Sequence, residues 1–215
     1  MSQVEELSPI PESTSAWYED LVRFPAKFVR NTEAVATLIP TGRFLAAAHC
    51  RCITPEQPQV ILELGAGTGA ITTQIIRRMH RDSQLIAIEI DPDFADVLKR
   101  RCPEATIVLG DVGDLPRHLD ALGVEKIDLM VCALALPMLT RETNRGIFSA
   151  LADKGGDATF VQLTLIPWVY RWIYSGLFHD VDLRIVPLNF PPGGVNQCSR
   201  LRENYGEYLV GRAEA

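Results

Sequence analysis

A run of glycines led by an acid, Glu63-Leu64-Gly65-Ala66-Gly67-Thr68-Gly69, is the stretch of this sequence best equipped for chemistry. Glycines at alternate positions let the chain turn tightly and let backbone N–H groups approach a ligand closely. Two further acids follow at telling places. Glu89 closes an apolar run, where a carboxylate can accept hydrogen bonds from both hydroxyls of a ribose. Gly110-Asp111-Val112 closes the next run, where the acid can receive an adenine amino group and the apolar side chain can cover the ring. Read with Ala70, the loop also satisfies the dinucleotide pattern G-x-G-x-x-G/A, so by itself it leaves two classes of nucleotide open. Asp91 competes with Glu89, but it precedes Pro92 and has the place of a helix cap.

These residues can act together only if strands and helices bring them to one edge. Apolar runs alternate with helical periods from Val60 onward, predicting strands at 59–64, 84–90, 105–109, 127–133 and 158–164 and helices at 69–81, 93–101 and 141–153. Near-continuous runs such as Leu85-Ile86-Ala87-Ile88 belong to parallel strands covered on both faces. The pattern predicts an α/β fold: a Rossmann-like, doubly wound, mostly parallel sheet of seven strands. Towards the end a strand over 181–189, a Pro191-Pro192-Gly193-Gly194 turn and a second strand, at 195–201 or 205–210, predict an antiparallel closing pair.

Ahead of the sheet the chain divides into a polar, acidic tail (1–15) and a helical extension (16–52), with the remaining domain over 53–215. In the extension Trp17, Leu21, Phe24 and Phe28 recur at helical spacing, widened by Tyr18, Val22 and Val29, with Arg23, Lys27 and Arg30 beside them. Pro25 interrupts that stripe, and Thr41 is placed to cap a helix running from Gly42 to about Cys50. The stripe suits either a membrane-facing helix or a lid packed on the sheet.

Composition narrows the partners. The 215 residues are 47% apolar and 22% charged, ordinary for a folded domain. A net charge of −6 argues against nucleic acid as the substrate, which calls for a basic field. Five scattered cysteines without a C-x-x-C pair predict no metal site and no disulfide framework, which fits a reduced, cytoplasmic setting. The start lacks the basic and apolar regions of a signal peptide, and no run of about 18 apolar residues occurs, so any membrane contact is expected to be peripheral, on the inner face.

Taken in order, Glu63, Gly65, Gly67, Gly69, Glu89 and Asp111 resemble the motif set of the class I S-adenosylmethionine-dependent methyltransferases, over the central half of the chain. The resemblance implies S-adenosyl-L-methionine as cofactor, with its methionine part in the glycine loop, its ribose on Glu89 and its adenine by Asp111. The implied contact set is Glu63, Gly65, Ala66, Gly67, Gly69, Glu89, Ile90, Gly110, Asp111, Val112 and Cys132.

The flanks are similar to bacterial phospholipid N-methyltransferases. They share Phe28-Val29-Arg30-Asn31, the stretch Ala36-Thr37-Leu38-Ile39-Pro40-Thr41-Gly42-Arg43, the sequence Glu89-Ile90-Asp91-Pro92-Asp93-Phe94 and an Asn189-Phe190-Pro191-Pro192 turn. That likeness implies methyl transfer to the amine of a membrane lipid head group. Two segments depart from it. Cys132-Ala133-Leu134-Ala135-Leu136-Pro137-Met138-Leu139 displaces a proline, and Leu165-Ile166-Pro167-Trp168-Val169-Tyr170-Arg171-Trp172-Ile173-Tyr174 replaces an aromatic–Gly–Pro run. Both alter the acceptor pocket and keep an ornithine-containing lipid open beside a phosphatidylethanolamine-like one. Tyr170, Tyr174 and Tyr18 are the catalytic candidates, able to line a cationic amine, and Arg30, Arg43 and Arg171 the candidates for a phosphate or carboxylate. The alternatives are a soluble small-molecule N- or O-methyltransferase, an rRNA adenine methyltransferase, which the missing Asn/Asp-Pro-Pro-Tyr sequence disfavours, and an NAD(P)-dependent oxidoreductase.

Overall fold

The computed structural model describes residues 43–187 and 193–212. The chain runs α1 (Arg43–His49), β1 (Val60–Leu64), α2 (Thr72–Ile76), β2 (Gln84–Glu89), α3 (Pro92–Arg101), β3 (Thr106–Leu109) and α4 (Leu115–Ala121). It continues through β4 (Leu129–Cys132), α5 (Arg141–Lys154), β5 (Thr159–Thr164), α6 (Pro167–Leu177), β6 (Phe178–Val186) and β7 (Gly193–Leu201). The seven strands form one sheet in the order β3-β2-β1-β4-β5-β7-β6. The first five are parallel, β7 runs antiparallel to β5, and β6 runs antiparallel to β7.

The apolar runs alternate between two cores, as strands covered on both faces must. Ile61, Val131, Val161 and Val195 face α1 and α2, packing with Ala46, Cys50 and Ile75. Leu62, Leu64, Met130, Cys132 and Phe160 face α4, α5 and α6, packing with Leu115, Phe148 and Tyr174. From β1 the chain winds outward through β2 and β3, then returns to β4 on the other side of β1 and winds outward again. The crevice beyond the carboxyl ends of β1 and β4 is therefore the switch point at which open sheets of this kind bind ligands.

The seven-stranded, mostly parallel sheet matches the expected fold, with differences of detail that have physical reasons. The helix expected at 69–81 is only Thr72–Ile76. Its sequence is crowded with β-branched residues, and the Thr73 hydroxyl bonds back to the Gly69 carbonyl at 2.7 Å, so turns replace helix at both ends. Two helices went unread. α4 opens on Leu115-Pro116, and α6 carries Pro167 in its first turn and buries Tyr170, Ile173, Tyr174 and Leu177 at helical spacing. The closing pair is β6 with Gly193–Leu201; Tyr205–Tyr208 is a short 3-10 turn. β6 begins at Phe178, directly after α6.

Beyond that turn the chain lies along the start of α5. Arg212 N–H donates to the Leu139 carbonyl at 2.8 Å, Arg141 N–H donates to the Arg212 carbonyl at 3.1 Å, and Asn144 Nδ2 donates to the Val210 carbonyl at 2.8 Å. Tyr18, Arg30, Thr41 and the apolar stripe over 17–29 lie outside the described residues, as does the side chain of Arg43.

Candidate functional site

The chain leaves β1 through Gly65 and Gly67, both at positive φ (75° and 57°), where a side chain would strain the backbone. Gly65 and Ala66 donate their N–H groups to the Ile88 carbonyl at 3.0 and 3.3 Å, which ties the loop to the end of β2. A Cβ on Gly67 would meet nothing within 4 Å, so this position faces open space. At Gly65 a Cβ would lie 2.3 Å from Leu134 Cδ2, because the side chain beyond β4 rests on the loop. Gly69 is buried, and Ala66 packs with Ala87, Leu98 and Cys102, giving the loop a firm floor.

Glu89, at the end of β2, is almost fully buried. Its Oε2 accepts from Gly67 N–H at 2.7 Å, and its Oε1 accepts from Ile90 and Asp91 N–H at 3.0 Å each. An ionised carboxylate has about four acceptor positions, so in this conformation one, on Oε2, is left for a further donor. Asp91 caps α3, accepting from Asp93 and Phe94 N–H, as its place before Pro92 suggested. Ile90 beside it is 66% exposed, an apolar surface next to the acid.

At the end of β3, Gly110 N–H donates to the Glu89 carbonyl at 3.0 Å. Asp111 is exposed. One of its oxygens, Oδ1, caps the following 3-10 turn by accepting from Gly113 N–H at 2.7 Å, which leaves Oδ2 for another donor. Val112 is buried. His118, which sequence reasoning missed, lays its ring against Gly110 and places Nε2 3.0 Å from the Asp111 carbonyl. Only the fold brings these two stretches together.

Glu63 sits below the loop, fully buried, and neither oxygen has a hydrogen-bond partner. Burial pushes its carboxyl up to about 8, opposed by the neighbouring Thr72 and reinforced by the charge of Glu89. The backbone cradle, the open face of Gly67, the orphaned acid and the acids ending β2 and β3 fit a nucleoside joined to an amino acid.

The remaining candidates lie beyond β4 and on α6. Cys132 points into the core, and burial pushes its thiol up to about 12. Tyr174 is fully buried between Phe160 and Phe178, and its hydroxyl donates to Gln162 Oε1 at 2.9 Å. Tyr170 is buried one turn earlier, its ring 5.9 Å from that of Tyr174. Arg171 is exposed and donates from Nη1 to the Val181 carbonyl at 3.0 Å. The structure thus brings the glycine loop, Glu89 and Asp111 to the same end of the sheet, with the two tyrosines of α6 buried in the core instead of lining that crevice. Among the described residues no group of histidines, cysteines and acids could hold a metal ion, and no helix is long and apolar enough to cross a membrane.

Comparison with known proteins agrees with this geometry. Residues 61–155 match the model of a methyltransferase domain. An ornithine lipid N-methyltransferase from Singulisphaera acidiphila is 37% identical over 194 residues, spanning 87% of this chain and all of that protein. An uncharacterized methyltransferase-like protein of Schizosaccharomyces pombe is 29% identical over 54% of this chain and 44% of its own length. Among solved structures, a Bacillus cereus O-methyltransferase in complex with SAH superposes with a TM-score of 0.60 at 12% identity, covering 81% of this chain and 90% of that one. Aeropyrum pernix fibrillarin, solved with natively bound S-adenosyl-L-methionine, gives 0.53 at 17% identity over 71% and 72%. These likenesses establish the shared fold. With the sheet order, the crevice and the full-length relative, they place this chain among the class I S-adenosylmethionine-dependent methyltransferases, in the family of the S. acidiphila lipid enzyme.

Proposed function

We propose that this chain transfers methyl groups from S-adenosylmethionine to the amino group of a membrane-lipid head group, an ornithine-containing lipid ahead of a phosphatidylethanolamine-like one. The observation that carries this reading is the 37% identity to an ornithine lipid N-methyltransferase along the whole of that enzyme. When bound, the donor supplies an electrophilic methyl group on a sulfonium. The protein's task is placement. The backbone of residues 65–69 and the orphaned Glu63 would hold the amino-acid end, Glu89 the ribose, and Asp111 with Ile90 and Val112 the base.

An attacking amine must be neutral, because an ammonium has no lone pair. The wall that touches the glycine loop, Cys132-Ala133-Leu134-Ala135-Leu136, carries no carboxylate or imidazole, and the Cys132 thiol stays protonated at physiological pH. In this reading the acceptor loses its proton to water before it docks, and the wall only orients it.

A lipid acceptor also gives a role to the surface beyond β5. Leu165, Ile166 and Trp168 are exposed there with Ile185 of β6, around an open groove of about 380 Å³, and Trp172 is exposed one turn further along α6. Tryptophans of this kind favour the boundary between head groups and acyl chains. The test is to incubate the protein with labelled S-adenosylmethionine and vesicles containing ornithine lipid, phosphatidylethanolamine or neither, alongside soluble amines and RNA. Label in an amino lipid is expected. Label only in RNA or a soluble amine overturns the lipid reading.

A further inference from the structure

The segment beyond β4 is made of small and aliphatic residues, with no polar side chain of its own to hold it in place. Backbone bonds tie its two ends, Ala133 N–H to the Leu64 carbonyl at 3.1 Å and Arg212 N–H to the Leu139 carbonyl at 2.8 Å, and two buried amides from neighbouring elements hold the stretch between. Gln162 of β5 is 1% exposed; its Nε2 donates to the Leu134 carbonyl at 2.9 Å and to the Leu163 carbonyl at 2.7 Å. Its Oε1 accepts from the Tyr174 hydroxyl, so the amide is fixed from both ends. Asn144 of α5, fully buried, donates to the Leu136 carbonyl at 2.8 Å. Between these staples the Leu134 side chain lies on Gly65, where a Cβ would collide with it. Gly65 is also the residue where β1 turns into the cofactor loop. The amide of Gln162 therefore reaches the loop through one carbonyl and one side chain.

We propose that Gln162 is a positioning residue for the methyl donor. Acting through Leu134, and oriented by Tyr174, it fixes the wall that closes the amino-acid end of the donor site. This rests on the donor placement given above, in which the glycine loop holds that end of the cofactor. Without the Gln162 amide, the Leu134 carbonyl keeps only local bonds, from Leu136 N–H at 3.1 Å and from the Cys132 thiol at 3.9 Å, and the wall loses this side-chain tie to β5.

Calorimetry with two ligands tests this without needing an acceptor. S-adenosylhomocysteine carries the amino-acid end; 5′-methylthioadenosine keeps the nucleoside and thioether but lacks it. Gln162→Leu should weaken S-adenosylhomocysteine by about tenfold and leave 5′-methylthioadenosine within about twofold, the loss expected for one buried hydrogen bond. Tyr174→Phe should shift the same ratio in the same direction by about threefold, and it decides the question if Gln162→Leu does not fold. Equal weakening of both ligands, or no weakening of S-adenosylhomocysteine, would overturn the proposal. Failure of the unaltered protein to bind either ligand is a different result, one that removes the donor placement itself.

Discussion

The two halves of the crevice are built in different ways. On one half, beyond β1, β2 and β3, the fixing groups are backbone N–H donors and carboxylates, with bonds between strand ends such as Gly67 to Glu89 and several partners near in sequence. Glu89 bonds to the next two residues, Asp91 to residues two and three ahead, and Asp111 to the residue two ahead. On the other half, beyond β4 and β5, neutral side chains join separate elements: Gln162 of β5 to Leu134, Tyr174 of α6 to Gln162, and Asn144 of α5 to Val210. The wall beyond β4 depends on tertiary contacts instead, and through Leu134 on Gly65 those contacts reach the loop from α6.

Substitutions that separate the halves sharpen this comparison. The largest effect belongs to Gly67→Val, which puts a β-branched side chain at positive φ and into the space a ligand needs. Binding of S-adenosylhomocysteine should fall by about 100-fold or more, roughly 3 kcal/mol, with the far-ultraviolet circular dichroism retained. Unchanged affinity would remove the loop from the donor site. Next comes Glu89→Gln, whose NH₂ group would confront N–H donors that a carboxylate accepts. With charged hydrogen bonds contributing about 1.5–3 kcal/mol each, affinity should drop about ten- to a hundredfold. A smaller effect, on the other half alone, is expected of Trp168→Ala with Trp172→Ala. Turnover on lipid vesicles should fall about three- to tenfold while S-adenosylhomocysteine affinity stays the same, and a change in affinity would blur the division drawn here.

The smallest effect concerns pH. The Glu63 carboxyl, held at about 8 in the fold against an ordinary value of 4.5, keeps its proton over a range in which the unfolded chain has lost it. The stability tied to that protonated form is fully present below about 4.5 and is lost as pH rises towards 8. Glu63→Gln should therefore gain in melting temperature over the unaltered protein progressively between those pH values, then level off. A difference that is flat with pH would mean that Glu63 is not protonated in the empty protein.

How much of this was legible follows the same division. The sheet, the glycine loop and the acids at strand ends could be read because each signal lies within one stretch: apolar runs for parallel strands, glycines at a turn, Asp91 before Pro92. The antiparallel pair was legible as a pair but not in register, since both 195–201 and 205–210 offered short apolar runs. α6 is marked by Tyr170, Ile173, Tyr174 and Leu177 at helical spacing, but a run rich in aromatic and β-branched residues also suits a strand, which blurs its signal. Tyr174 is buried, with its hydroxyl on Gln162. Gln162, Asn144 and His118 left no local trace. A lone amide in a strand or a histidine in a short helix gains meaning only when the sheet order sets it beside Leu134, Leu136 or Gly110.

The strap over residues 210–212 has a practical consequence for anyone handling this protein. It splints the start of α5 and shares Asn144 with Leu136, so residues 210–212 and the wall beyond β4 form one mechanical unit. A cut before Val210, or a rigid fusion that pulls on it, would take one of the two bonds from that amide and slacken the wall from behind. Affinity tags placed there should be checked for altered acceptor preference as well as for yield.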